Sequence, residues 1–212
     1  LVWRWVNDKN ATAQTVRNPS PCGNKEMKAL TFVFGRFQPP TRGHERLLVT
    51  AREIAGGEEL RIYPSRTHDR KKNPLTPEQK LQFLRLAFPS LQDCFVDDDS
   101  VRDALGVLTA AADEGFQKAV MVVGSDRLAT FTALTAKYNG DLYDLEEIQV
   151  ISCGDRDPDA DGVEGVSATQ MRNAAAADDF LTFRLGLPDA MSSADARDLF
   201  DAVADGLAKK DP

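Results

Sequence analysis

The chain has 212 residues, 42% hydrophobic and 28% charged, enough apolar content for one buried core with room for an appendage. Asp plus Glu number 33 against 26 Lys plus Arg, a formal net charge of −7. That balance argues against the basic face of a nucleic-acid binder and the basic amphipathic helix of a membrane-surface protein. No apolar run approaches the ~20 residues that span a bilayer, and no secretion-signal pattern opens the sequence. Cys22, Cys94 and Cys153 are odd in number and widely spaced, so they read as reduced thiols. The expectation is a cytoplasmic protein that engages neither nucleic acid nor membrane.

Residues 1–26 are polar, carry the turn-prone Asn18-Pro19-Ser20-Pro21 and Gly23-Asn24, and show no helical or strand period. They read as an N-terminal extension or linker, with Trp3 and Trp5 as candidate anchors. The folded domain is expected over 27–187, followed by a C-terminal helix over 188–212.

Ala29-Leu30-Thr31-Phe32-Val33-Phe34 is a near-continuous apolar run, as in a strand buried on both faces of a parallel sheet. Leu47, Leu48, Ala51, Ile54 and Ala55 then repeat at helical period up to Gly56-Gly57. Leu60–Tyr63 reads as the second strand. After a polar loop from Ser65 to Leu75, Thr76-Pro77-Glu78-Gln79 supplies an N-cap, a first-turn proline and a capping-box Gln. That helix should bury Leu81, Leu84 and Phe88. A short strand is expected near Cys94-Phe95-Val96, then a helix capped by Ser100 with Val101, Leu105, Leu108 and Ala112 on one stripe. Ala119–Val123 is a further buried strand, its helix ending at Asn139-Gly140, and Ile148–Ile151 is the fifth. The last helix, with Ala194, Leu199, Phe200, Val203 and Leu207, should either cover the core or form a homo-oligomer contact. This alternation predicts a Rossmann-like, doubly wound parallel α/β sheet of about five strands, with ligands at the carboxyl ends.

Two segments at strand ends carry chemistry. In Phe34-Gly35-Arg36-Phe37-Gln38-Pro39-Pro40-Thr41-Arg42-Gly43-His44, Gly35 permits an unusual dihedral or a close approach of ligand to backbone. The prolines hold the chain extended, so no helix begins before about Thr41. Thr41 and His44 then leave one side of a helical first turn, whose N–H groups and dipole favour an anion. Read blandly, Gly35 is a turn, Thr41 an N-cap and His44 a surface residue. The second segment is Val166-Ser167-Ala168-Thr169-Gln170-Met171-Arg172. Ser167 and Gln170 make a capping box, while Thr169 and Arg172 share a face and Arg172 suits bidentate phosphate binding. Together the segments describe a two-sided grip on a polyphosphate.

The pair resembles the [His/Thr]-x-Gly-His and Ser-x-Thr-x-x-Arg signatures of the nucleotidylyltransferase superfamily, here Thr41-Arg42-Gly43-His44 and Ser167-Ala168-Thr169-Gln170-Met171-Arg172. The preceding Gly35-Arg36-Phe37-Gln38-Pro39 and the segment Asn73-Pro74-Leu75-Thr76 are most similar to archaeal-type nicotinamide-nucleotide adenylyltransferases and related phage nucleotidyltransferases. Gly124-Ser125-Asp126 resembles the Gly-x-Asp stretch after the fourth strand of several adenylyltransferases. Thr41 stands where the archaeal type has His, and Pro40 replaces an aromatic; both departures bear on the acceptor.

The resemblance implies an adenylyltransferase that moves AMP from ATP to a small phosphorylated acceptor, with nicotinamide mononucleotide leading. It implies catalytic roles for His44, Thr41 and Arg172. Nucleotide contacts would come from Gly35, Arg36, Phe37, Gly43, Gly124, Asp126, Ser167 and Thr169. Mg²⁺ would be held through substrate phosphates rather than protein ligands. Ser65–Lys72 is the candidate mobile lid, with Lys71 and Lys72 covering the triphosphate and His68 a weaker candidate. Asp126 would position substrate or cap the following helix.

A cytidylyltransferase acting on a sugar or polyol phosphate is the enzymatic alternative. A non-catalytic nucleotide-binding module of a larger protein is the other, weakened by the presence of both His44 and Arg172. A short acidic chain without a Lys-Met-Ser-Lys-Ser-like loop excludes an aminoacyl-tRNA synthetase. Asp157-Pro158-Asp159-Ala160-Asp161-Gly162 imitates the start of a calcium loop, but Ala168 stands where the bidentate Glu is required. It reads as a solvated acidic loop.

Overall fold

The computed structural model describes residues 13–17, 27–154 and 167–208. A parallel sheet is built from β2 (Ala29–Gly35), β3 (Glu59–Pro64), β4 (Lys118–Val123) and β5 (Glu147–Ser152), and β1 (Ala13–Arg17) lies antiparallel on its edge. The order across the sheet is β1-β5-β4-β2-β3. From β2 the chain first moves outward to β3 and then crosses back to β4 on the other side. That reversal opens a crevice at the carboxyl ends of β2 and β4, where doubly wound sheets bind ligands.

Helices cover both faces: α1 (Arg42–Ala55), α2 (Pro77–Ala87), α3 (Ala104–Asp113), α4 (Leu128–Tyr138), α5 (Ala168–Ala176), α6 (Phe180–Leu185) and α7 (Ser193–Ala208). One core packs Val33, Ile62 and Val122 of the sheet against Leu48, Leu84, Met171, Phe183 and Phe200. The other packs Leu30, Phe32, Met121 and Val150 against Val107, Leu108 and Leu145. Burial on both faces explains why the strands read as apolar runs without alternation. Among the described residues no helix is long and apolar enough to cross a membrane. Cys94 and Cys153 are thiols; Cys22, Trp3, Trp5 and the acidic loop 157–162 lie outside the described residues.

Four expectations are corrected. Ala13–Arg17, in a stretch that shows no strand period, adds a strand to the edge of β5. Edge addition uses the backbone groups of β5 and needs no alternating apolar face. Cys94-Phe95-Val96 is not a strand: Pro89–Cys94 is a 3₁₀ helix, and Phe95 makes a single parallel bridge to Ile62. Asp103, not Ser100, caps α3, its carboxylate accepting the Gly106 N–H at 2.9 Å, while the Ser100 hydroxyl turns to Asp98. The buried stripe of α3 is accordingly Ala104, Val107, Leu108 and Ala111. Finally, α7 lays Ala196, Leu199, Phe200 and Val203 onto the core, with Ala194 exposed.

Gly206 of α7 sits so close to the loop before α2 that a Cβ there would lie 2.2 Å from the Pro74 carbonyl oxygen. The neighbour is backbone and cannot rotate away. Gly206→Ala is expected to cost about 1–3 kcal/mol, the usual penalty of overpacking. Urea unfolding would read it as a lower midpoint at unchanged slope; an unchanged midpoint would mean that the contact is looser than described.

Candidate active site

The loop leaving β2 is held by its own aromatic. Gly35 has no positive φ; its role is space, since a Cβ would meet the Phe37 ring at 2.8 Å. Phe37, at φ 48 and 1% exposed, lies in the core with its ring edge-on to the His44 imidazole, centroids 4.8 Å apart. Its side chain therefore supports the site from beneath, through His44.

Thr41 caps α1 and forms a capping box with His44. The Thr41 hydroxyl accepts the His44 N–H at 3.3 Å, and the Thr41 N–H donates to His44 Nδ1 at 3.0 Å. A backbone N–H can only donate, so Nδ1 is an acceptor and the proton of the neutral ring belongs on Nε2. Thr41 is 2% exposed and its hydroxyl also sits 3.0 Å from Nδ1. It serves by orienting His44, with its own oxygen already engaged. Of the first amides of α1, that of Arg42 donates to Gly186 O at 3.0 Å. The Gly43 N–H, between the two engaged amides, has no partner among the described residues. Arg42 further donates to Leu187 O at 2.8 Å and pairs with Asp189, tying this helix start to the chain between α6 and α7.

The second motif begins α5. Ser167 is its N-cap and makes the expected capping box with Gln170. Arg172 donates through Nη2 to Thr169 Oγ1 at 3.0 Å and through Nη1 to the Gln38 carbonyl at 2.7 Å. Two of the five guanidinium N–H groups are thus engaged, leaving three for an anion. Burial, and then the like charge of Arg36, pulls Arg172 below its ordinary value, with Asp69 opposing. Arg36, Arg172 and Asp69 therefore share one electrostatic neighbourhood, which unites the β2 loop, the second motif and the expected lid.

That lid is fastened. Arg66 pairs with Asp97 at 2.6 Å and Asp99 at 2.5 Å. Asp69 accepts the amides of Lys71 at 2.9 Å and Lys72 at 2.8 Å and the side-chain amide of Asn73. These bonds hold its carboxyl down at about 2. His68 Nδ1 lies 3.1 Å from each of the Asn73 and Leu75 carbonyls, so it must donate. Lys71 and Lys72 remain exposed on the rim, where their side chains, more than the loop backbone, can reach a ligand.

At the end of β4, a Cβ on Gly124 would lie 2.8 Å from Asp126 Oδ1. Asp126 is exposed and pairs with Arg127 at 3.4 Å, and α4 has no side-chain cap. Asp126 thus remains a candidate for substrate positioning. At the end of β5, Gly154 adopts φ +94 and its Cα faces the Arg46 guanidinium. Burial pushes the neighbouring Cys153 thiol up, Arg46 opposing.

Sequence reasoning missed Gln38 and Lys80. The Gln38 amide, in a residue 2% exposed, donates to Leu75 O at 2.9 Å and accepts from Leu75 N–H at 3.0 Å. Lys80 is 0% exposed and donates to the carbonyl and hydroxyl of Ser65, whose N–H in turn reaches Gly35 O at 2.7 Å. A signal existed: Lys80 stands one helical turn before the buried Leu84.

Residues 32–174 match the family model described as cytidylyltransferase-like. A probable nicotinate-nucleotide adenylyltransferase of Sulfurovum sp. (strain NBC37-1) is 26% identical over 114 residues, which are 51% of this chain and 61% of that protein. A crystal structure of a bifunctional NMN adenylyltransferase/ADP ribose pyrophosphatase from Francisella tularensis shares the fold, with TM-score 0.53 and 16% identity. The match covers 86% of this chain and 53% of that one.

Burial, and then the like charge of Arg66, pushes Lys80 down from 10.5 to about 8. Between those values the unfolded chain binds more protons than the folded one, so stability should rise with pH across that window and level off beyond it. The slope contributed is at most about 1.4 kcal/mol per pH unit. Lys80→Met should abolish the rise in unfolding free energy between pH 8 and 10.5; an identical rise in the variant would assign the effect elsewhere.

Proposed function

The chain belongs to the cytidylyltransferase-like family, and from that premise we propose that it transfers AMP from ATP to a small phosphorylated acceptor, nicotinamide mononucleotide or its nicotinate form, releasing pyrophosphate. The observation that carries this reading is the 2.7 Å bond from Arg172 to the Gln38 carbonyl. It joins the two phosphate-gripping motifs, 134 residues apart, at one point above the sheet. The Sulfurovum relative supports the choice of adenylyl group and pyridine nucleotide.

In this reaction an oxygen of the acceptor phosphate attacks the α-phosphorus in line. The bond from that phosphorus to the bridging oxygen breaks, and pyrophosphate departs with the electron pair. No protein nucleophile is required, so positioning and charge stabilisation supply the acceleration. His44, held by Thr41 through Nδ1 and by the Phe37 ring beneath, directs its Nε2 proton to the reacting phosphates. The Gly43 amide and the positive end of α1 add fixed donors. From the opposite side Arg172 grips the β- and γ-phosphates and follows the charge onto the leaving pyrophosphate, with Ser167 and Thr169 beside it. Arg36, Lys71 and Lys72 line the rim. Magnesium would neutralise the triphosphate. The ion would be carried on phosphate oxygens and water rather than on protein ligands.

Pyrophosphate release should be measured with Mg²⁺, ATP or CTP, and a panel of phosphorylated acceptors led by nicotinamide and nicotinate mononucleotide. The expected result is ATP-dependent dinucleotide formation, with His44→Ala and Arg172→Ala each lowering kcat by about 10²–10³-fold. Turnover with CTP and a sugar or polyol phosphate would replace the substrates and keep the machinery. Nucleotide binding without release under every condition would overturn the enzyme reading.

A further inference from the structure

We propose that Gln38 is a positioning residue: its buried side-chain amide, clamped to the Leu75 backbone, holds its own carbonyl where that carbonyl sets the plane of the Arg172 guanidinium. The proposal rests on the reading of Arg172 as a phosphate ligand. Thr169 alone, on the same helix, gives the guanidinium one point of attachment and leaves it free to swivel. The Gln38 carbonyl supplies the second at 2.7 Å, from a different element. Two points and the rigid fork of the side chain define a plane, and the plane decides whether the remaining N–H groups meet phosphate oxygens in pairs.

That carbonyl is only as steady as the loop that carries it. Pro39 and Pro40 follow Gln38 and have no N–H to contribute. What fastens the loop at this residue is the side chain: Nε2 to Leu75 O at 2.9 Å and Oε1 from Leu75 N–H at 3.0 Å. Leu75 is 0% exposed and the Pro74 beside it is pressed against Gly206 of α7, so the clamp is anchored on an immobile part of the core. The charged and titratable groups around it are His68, which shares the Leu75 carbonyl, and Arg172, Arg36 and Asp69 beyond.

Gln38→Glu converts the clamp into a titratable one. As a carboxylic acid Glu keeps both bonds, since its O–H donates to Leu75 O; as a carboxylate it presents an oxygen to that carbonyl and the clamp opens. Inorganic pyrophosphate binding is measured by calorimetry between pH 5.5 and 8.5, always relative to the wild type at the same pH, so that the pH dependence common to both proteins cancels. Binding by Gln38→Glu should be about tenfold weaker at pH 8.5 and return to near the wild-type value at pH 5.5. Gln38→Met, similar in size and apolar, should be weaker by a similar factor at every pH. In an Arg172→Ala background neither substitution should weaken binding further, which a merely structural defect would not reproduce. A loss that is independent of pH in Gln38→Glu, or that adds in full to that of Arg172→Ala, overturns the proposal. Wild-type protein that binds pyrophosphate but transfers no nucleotide would refute the enzyme reading while leaving this test intact.

Discussion

The buried amide of Gln38 gathers three stretches of chain that are far apart in sequence. Its side chain fixes the segment before α2, its backbone follows the loop from β2, and its carbonyl receives Arg172 from α5. Opening either bond of the Gln38 side chain to Leu75, inside the core, would strand a polar group away from water, and a stranded group costs more than the bond itself contributes. The arrangement is therefore close to all-or-none. The geometry of the phosphate side of the crevice follows from it: the 73–76 segment is backed by α7, the β2 loop by the Phe37 ring, and Arg172 by both.

Both motifs are also helix starts. Thr41 with His44, and Ser167 with Gln170, are capping boxes in which a hydroxyl takes the third amide of the helix and the third side chain returns to the cap amide. In the first box the returning group is an imidazole. The bond that ends the helix cleanly is thus the same bond that selects the Nε2–H tautomer. The bland reading of Thr41 as an N-cap and the functional reading of His44 describe one hydrogen-bonded pair. The buried Thr41 hydroxyl, already bonded to His44, acts on that imidazole from the cap position.

What could be read from the sequence was whatever local chemistry decides. The four parallel strands, the caps at Thr41, Thr76 and Ser167 and the helix end at Gly56 are written in apolar runs and short-range bonds, and they stand where expected. Both motifs reach the same end of the sheet for the same reason. The failures share the opposite character. Ser100 and Asp103 are both good caps, and only packing of Val107 and Ala111 chooses between them. Ala13–Arg17 is recruited by the backbone edge of β5, which leaves no mark on its own side chains. The partners of Arg66 in the charged stretch 65–72, Asp97 and Asp99, come from residues whose proximity no local pattern reveals. Gln38 was hidden likewise, since it is buried against backbone groups of a distant loop, whereas Lys80 left a local sign in its place one turn before Leu84.

The 134 residues between Gln38 and Arg172 also impose an order on how the crevice comes into being. Chains emerge from the ribosome N-terminal end first. The β2 loop and the His44 capping box can therefore settle while α5 is still unsynthesised, and the backing of Pro74 by Gly206 arrives later still. For much of its synthesis the nascent chain holds one jaw of a two-jawed grip. An anion meeting it then finds the helix start, the imidazole and Arg36, but not the Arg172 guanidinium across from them. Under the proposed function, competence for polyphosphate waits on a contact that can close only once α5 has been made.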